Sequence, residues 1–522
     1  MKRSFVAAAL VLVSSSVFSQ DIYQIAELST ADLNGTSRYV GMGGAMGALG
    51  GDLSTMSSSP AATGLYRRSD VAVTASLASQ PGGYEFDGKH NKHVSFDQLG
   101  FVYCFPVMDK QLKFINFGIN YHKQRDFNQL VASSADDLSG TGYASQTWQL
   151  ADLCNFWGGS NVGTPLTDMA YQNYLLGDAS SNYSPYSAKS HYYNKARWGS
   201  NQAYDFNLSF NVSDRWYFGI TASVYNVVQK SSMAYTEDLL YKETSGEYTN
   251  DGFYTLTNNS SLKGTGYDAK FGMIVRPFSN SNFKIGLTLT TPIYYELTYR
   301  NTATLSSYDT RWNLDENISV RDQIARMDYD YKVRTPWKVG VSVGNTFFGK
   351  LAVGAEYEFA DYSSSSVSYG DDFDGWNDAK DRELNRQADK FLKGTHTLKV
   401  GAELTPVRNF YVRAGYNYVT SSIDKDAFLN QYINSASIDA ASSTDYLNIS
   451  SVKRYTAGIG VKFGSFYADA SWLYQCQNGK LYAFSASSDG SVYPVPNCDN
   501  VCPSRHVKLN KSQIALTLGY RF

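Results

Sequence analysis

The 522-residue chain has few of the features that mark helical membrane proteins or nucleic-acid binders. Charged residues make up 18% and the net charge is -2, so no strong field draws the protein to nucleic acid or another polyanion. Past residue 20 no apolar run is long enough to cross a bilayer as a helix. The six His stand scattered at 90, 93, 122, 191, 396 and 506, and no Ser/His/Asp arrangement can be placed. The reading is therefore of a non-enzyme. Cysteine is scarce, with five residues. Cys476, Cys498 and Cys502 flank one loop and allow a disulfide whose pairing the spacing does not choose. No His stands near them at metal-ligand spacing, so no metal and no cofactor is expected. His90 and His93 in the first long loop, and Asp371, Asp372 and Asp374 in a later one, read as solvated loop groups rather than cation ligands.

Aromatics, by contrast, make up 15% of the chain, with 41 Tyr against 12 Pro, a β-rich and interface-rich composition. The mean hydropathy of -0.34 resembles that of a soluble protein. Strands that alternate an apolar with a polar face average to such a value while still presenting a continuous apolar surface. The first residues form a separate device. Lys2 and Arg3, the apolar stretch Phe5 to Val13, and Val17-Phe18-Ser19 have the layout of a secretory signal peptide over 1–19, too short for a membrane anchor.

From Asp70 onward, period-two alternation recurs between turn signals. In the last stretch Ile514, Leu516, Leu518, Tyr520 and Phe522 share one face, while Gln513, Thr517, Gly519 and Arg521 share the other. Leu351, Val353, Ala355, Tyr357 and Phe359 oppose Gly354, Glu356 and Glu358 in the same way, and two neighbouring carboxylates cannot face lipid. About fourteen such strands are predicted, at 70–80, 93–107, 111–125, 201–212, 214–230, 265–277, 283–300, 332–346, 350–362, 395–405, 409–421, 452–464, 465–477 and 506–522. Their connections alternate strictly between short turns and long polar loops, the pattern of a transmembrane barrel. The fold class is thus all-β: an antiparallel up-and-down transmembrane β-barrel spanning 70–522, multi-pass in the bacterial outer membrane, with both chain ends facing the periplasm. The inward face is expected to carry Lys270, Lys284, Lys338, Glu356, Glu358, Lys399, Glu403, Arg413, Lys462 and Asp469, mainly as ion-pair ladders. A carboxylate ligand would need one of these cations unpaired. Of the long loops, the one near 126–200 is too long to be structureless, and the charged stretch 378–386 reads as a solvated cap helix.

Residues 20–69 do not alternate. Ser37 to Gly51 is rich in Gly, Ala and Met, suited to tight packing in a confined space, and without a preceding strand or βαβ unit its glycines do not make a phosphate-binding loop. The run Arg38-Tyr39-Val40-Gly41-Met42-Gly43-Gly44-Ala45, then Gly50-Gly51-Asp52, then Ser59-Pro60-Ala61 resembles the N-terminal hatch of FadL/TodX-type outer-membrane transporters, with Ser59 where that family has Asn. Tyr520 and Phe522 resemble the terminal aromatic signal read by the barrel-assembly machinery. The resemblance implies a fourteen-stranded barrel, plugged by its hatch, that moves long-chain fatty acids or other hydrophobic small molecules inward, with an exit through a gap in the wall. The competing reading is a non-transporting barrel that serves as a docking subunit for partners in an outer-membrane assembly or secretion complex. Deleting roughly residues 21–60 is expected to leave a barrel that assembles but leaks, because the wall closes its own hydrogen bonds. Failure of that variant to fold, tested by heat-modifiable gel mobility, would contradict a plug role.

Overall fold

The computed structural model describes residues 22–107, 109–136, 145–156, 164–176, 186–242, 245–309, 321–369, 379–433, 435, 442–485 and 502–522. The signal peptide, Gln20, Asp371, Asp372, Asp374 and Cys498 lie outside these residues.

The N-terminal segment comes first and forms no strand. It contains α1 (Ile22–Ser29), α2 (Ser37–Gly41), the single turn α3 (Thr55–Ser58) and a 3₁₀ turn (Pro60–Leu65). The wall follows as β1 (Asp70–Ser79), β2 (Lys92–Pro106), β3 (Leu112–Asp126), β4 (Tyr186–Val212), β5 (Trp216–Lys242) and β6 (Tyr248–Val275). Next come β7 in two halves (Lys284–Thr290 and Tyr294–Asp309) and β8 in two halves (Arg321–Arg334 and Lys338–Phe347). The circuit continues through β9 (Leu351–Asp361), β10 (Gly394–Leu404), β11 (Phe410–Val419), β12 (Val452–Phe463), β13 (Phe466–Cys476) and β14 (Lys511–Arg521). Each strand pairs antiparallel with the next. β14 then pairs with β1 from Asp70↔Arg521 to Ser79↔Ser512, which closes a fourteen-stranded barrel. Closure leaves no edge, the one arrangement in which a sheet satisfies its backbone donors and acceptors within hydrocarbon.

The alternation read from the sequence appears as an outer apolar belt. Leu287, Leu289, Val339, Val341, Leu398, Val400, Ile459, Ile514, Leu516 and Leu518 all point outward and are exposed. Short turns join β2 to β3, β4 to β5, β6 to β7, β8 to β9, β10 to β11 and β12 to β13, and they gather at one end of the barrel with Ser69 and Phe522, whose backbones are bonded at 3.0 Å. The long loops gather at the other end. Among them are α4 (Gln146–Phe156) and α5 (Pro165–Gln172), packed in an apolar cluster with the upper parts of β4 to β7, and α6 (Arg382–Phe391), which buries Leu384, Ala388 and Phe391 against α1. The stretch near 378–386 is therefore half of an amphipathic cap rather than a solvated helix.

Three expectations need correction. First, β4, β5 and β6 run for 27, 27 and 28 residues, where roughly 9–11 cross a bilayer. Their outer halves carry Thr, Ser and Asn outside and so lack the apolar alternation that marks a strand in lipid. Second, the strands predicted at 283–300 and 332–346 are interrupted at Pro292 and Pro336, which have no N–H to give the ladder. Threonine hydroxyls repair the break, Ala269 N–H donating to Thr291 Oγ1 at 3.0 Å and Ile293 N–H to Thr335 Oγ1 at 2.8 Å. Third, the first described residues do not lie beside Phe522 at the turn end. The Tyr23 hydroxyl donates to Asn448 Oδ1 at 2.8 Å, close to the long-loop end, so the N-terminal segment descends through the barrel to reach β1.

Placing a charge on the belt is expected to be costly. Val341→Arg, at an outward position 43% exposed, should destabilise the barrel by about 2–4 kcal/mol, read from urea unfolding in lipid vesicles against the wild type.

Candidate functional site

The interior is filled by the N-terminal segment, and the wall is shaped to take it. Gly344, Gly354, Gly401 and Gly415 stand in register across β8 to β11 and face inward. A Cβ on Gly354 would lie 2.2 Å from the Ala45 carbonyl oxygen, one on Gly401 2.1 Å from that of Met42, and one on Gly415 2.2 Å from Gly43 N. On the opposite wall a Cβ on Gly219 would meet Pro60 at 2.4 Å. The plug therefore meets the wall backbone to backbone, a contact that only glycine permits. This row was open to view on the polar faces of the strands, yet alternation alone assigns those positions to a polar face and gives no reason to look for contact.

Polar groups fix the plug in place. Asp52 accepts from the Thr36 hydroxyl at 2.7 Å and from Ser54 N–H at 2.9 Å, and the Thr36 side chain caps α2 by accepting from Tyr39 N–H. Gly43 and Gly44 take φ values of 62° and 80°, turning the chain back where other residues would be strained. The Thr456 hydroxyl donates to the Gly41 carbonyl at 3.2 Å and the Asn207 amide to that of Pro60 at 3.3 Å. Pro60 starts the 3₁₀ turn and Ala61 is fully buried. Ser59 is buried too, but among the described residues its hydroxyl has no hydrogen-bond partner; its carbonyl accepts from Ala62 N–H at 2.9 Å.

The inward charges fall into pairs set by strand register. Arg38 binds Glu403 through two bonds of 2.8 Å and also donates to the Gly51 carbonyl at 2.7 Å. Glu403 faces Arg413 on the next strand, at 2.6 Å, and Arg413 reaches Asp469 at 2.5 Å. Glu356 pairs with Lys399 at 2.5 Å. Lys270 sits between Asp205 and Asp268 at 3.5 and 3.3 Å. Lys338 and Lys284 donate to the carbonyls of Ser29 and Leu49, at 3.1 and 3.2 Å. Glu358 and Lys462 are half-buried and make no ion pair among the described residues. Tyr520 and Phe522 lie outside, stacked with centroids 5.7 Å apart at the turn end.

Above the plug a cavity of about 310 Å³ opens beneath the long loops. Its floor and sides bring together Arg125, Lys195, Arg197, Arg454 and Lys511, none of them singled out from the sequence, with Glu27, Asp32, Asp126 and Asp445. Apolar walls come from Phe127, Leu130, Leu262, Ile423 and Leu509. Glu27 pairs with Arg125 and Arg197. Asp445 lies in a loop with its carboxylate largely buried. Burial pushes its pKa up, but the Lys195 ammonium at 2.7 Å and the hydroxyls of Ser443 and Tyr193 hold the carboxyl below its ordinary value. Arg454 is the least neutralised of these cations, with Asp32 at 3.6 Å and neutral amides of Asn417 and Gln475 at 3.0 and 2.8 Å. A smaller cavity of about 20 Å³ shares Asp32, Asp126, Arg454 and Lys511 and extends to Asp97 on β2.

The wall beside these cavities is incomplete. Backbone pairing of β2 with β3 runs from Pro106↔Phe114 only as far as Gln98↔His122, so 92–97 and 123–126 are not laddered to each other. Side chains bridge the seam instead: His93 Nε2 lies 2.7 Å from Asp126 Oδ2, and Lys123 donates to Ser95 Oγ at 2.5 Å. His93, read from the sequence as a solvated loop group, is thus part of the seam. If the fit of plug to wall is as tight as the glycine row requires, Gly401→Val will dislodge the plug. Protease should then cut the N-terminal segment of the solubilised barrel, while wild type and the outward Ala402→Val control stay resistant.

No family model matches the sequence, and no curated protein matches it. Solved structures do match. A Pseudomonas aeruginosa FadL homologue is 14% identical, with 94% of this chain and 99% of that one covered at a TM-score of 0.51. The Ralstonia pickettii toluene transporter TbuX is 12% identical over 94% of this chain and 98% of its own, at 0.45. The P. putida toluene transporter TodX is 11% identical over 94% and 99%, at 0.46. At these identities the first of the three establishes architecture alone: the chain is a closed transmembrane β-barrel with the fold of that FadL homologue.

Proposed function

We propose that the protein sits in the bacterial outer membrane, long loops outward, and carries hydrophobic compounds of the long-chain fatty acid type into the cell past an N-terminal hatch formed by residues 20–69. The observation that carries this reading is the amphipathic cavity between the loops and the plug, adjoining an unladdered seam in the wall. A plain aqueous pore has no use for apolar walls, and a hydrocarbon site has no use for a cluster of cations. An amphiphile with an anionic head uses both, its chain against Leu262 and Ile423 and its head toward Arg454. The seam between β2 and β3 offers such a molecule a sideways path into the hydrocarbon layer, so that it need not cross the tightly packed plug.

The fold shared with a FadL homologue fits this reading. Uptake of a labelled long-chain fatty acid by cells lacking the protein, and by cells carrying it intact or as Arg454→Met, is the direct test. Uptake should depend on the protein. At limiting substrate it should fall about tenfold in the variant, the scale of one charge-assisted hydrogen bond. Uptake indifferent to the protein would overturn transport and favour the docking-subunit role.

A further inference from the structure

The outward face of β5 to β8 continues far above the apolar belt, and its chemistry changes in steps with height. On β6 and β7 the belt residues Phe271 and Leu289 give way to Tyr267 and Tyr294, stacked at 5.7 Å. Paired aromatics at this position mark the boundary of the hydrocarbon layer.

Above them the face carries charge of both signs: the exposed cations Lys230 on β5, Lys263 on β6, Arg300 on β7 and Arg326 on β8, interspersed with the exposed carboxylates of Glu296 on β7 and of Asp328 and Asp330 on β8. Register places them together, with Lys230 opposite Ser261, Ser261 opposite Arg300, and Arg326 opposite Thr302. Lys263 is four positions from Tyr267, roughly 13 Å along the strand. Arg300 pairs with Asp328 at 2.9 Å. Lys230, Lys263 and Arg326 make no ion pair among the described residues. These three cations do nothing for the barrel itself, whose ladders are complete at this height.

Higher still the face becomes a neutral hydroxyl lattice. Thr236 stands opposite Thr255, Thr255 opposite Ser306, and Thr257 opposite Thr304, with the hydroxyls of Thr236 and Thr255 at 2.9 Å. Neighbouring hydroxyls repeat at about 4.8 Å across strands and about 6.7 Å along them. The lattice ends at a second stacked pair, Phe253 over Tyr308 at 5.8 Å.

We infer that this face docks a phosphorylated glycolipid of the outer leaflet, its acyl chains on the belt, its phosphates on these cations and its sugars along the hydroxyl lattice. The order of the three zones, continuous with the lipid-facing belt on the same strands, is the order of apolar chain, phosphate and sugar in such a lipid. Lys and Arg meet the phosphates, and the hydroxyls and exposed aromatic faces meet the sugars. The inference rests on outer-membrane placement and is independent of what the lumen carries.

The full-length protein, purified in detergent, is loaded with bisphosphorylated lipid A, with the same lipid bearing its oligosaccharide, or with phosphatidylethanolamine, and retained lipid is counted by native mass spectrometry. Wild type should retain both phosphorylated lipids in preference to phosphatidylethanolamine, and 0.5 M salt should release lipid A. The K230E/K263E/R326E variant should retain at least tenfold less of each. T255V/T257V should lose about threefold for the oligosaccharide-bearing lipid alone. Heat-modifiable mobility checks that the variants are folded, and the salt titration on wild type tests the proposal without any variant. Equal retention of phosphatidylethanolamine, retention insensitive to salt, or charge-reversed protein that keeps its lipid A would each overturn it.

Discussion

A sheet in hydrocarbon must pair every backbone group with another strand, and everything else in this molecule follows from obeying that rule. The ladder between β1 and β14 is where it is met, since an open edge there would leave ten residues of donors and acceptors in lipid. Closure fixes the lumen, and a fixed lumen must be filled or left as a pore. Here it is filled by the chain's own N-terminal segment, so the wall's inner surface has become a binding face for that segment. The departures from perfect pairing lie at the rule's margins. Beside Pro292 and Pro336 the threonine hydroxyls accept from backbone N–H groups that the broken ladder leaves without a carbonyl, and between β2 and β3 the ladder stops at Gln98 and side chains take over.

Inside, electrostatics and packing divide the labour. Arg38, Glu403, Arg413 and Asp469 form a chain of alternating charge running from plug to wall. Glu403, Arg413 and Asp469 are buried and Arg38 is half-buried, and each carboxylate has a partner that offsets its desolvation. The glycine row provides shape rather than energy. Together they make the lower lumen dense and tie most of its buried charges into pairs, while the cations of the upper cavity stay only partly neutralised. The contrast separates a region that holds the molecule together from one equipped to meet a ligand.

Much of this was legible in the sequence, for reasons that also explain what was not. Period-two alternation is strong where one face meets lipid, so Gln513 to Phe522 and Leu351 to Phe359 read as strands without ambiguity. It fades where the outward face is polar and the inward one mixes Tyr, Leu and Met with Ser, Asn and Glu, which is why the upper halves of β4, β5 and β6 read as loops. The inward charges were visible as wrong residues for a lipid face, but their partners depend on register, and register between strands is set by turn geometry that alternation does not contain. Arg125, Arg454 and Lys511 went unnoticed because they sit near strand ends, where a basic residue is equally expected in a solvated loop. The N-terminal segment read as a compact filler from its Gly, Ala and Met content. Its direction of travel, from the loop end down to Asp70, could not be read from composition.

The four glycines in register on β8 to β11 have one more consequence. Where plug and wall backbones touch with no side chain between them, as at Gly354, Gly401 and Gly415, no layer of water fits on that flank of the plug. Any solute passing on that side would have to shift the plug first.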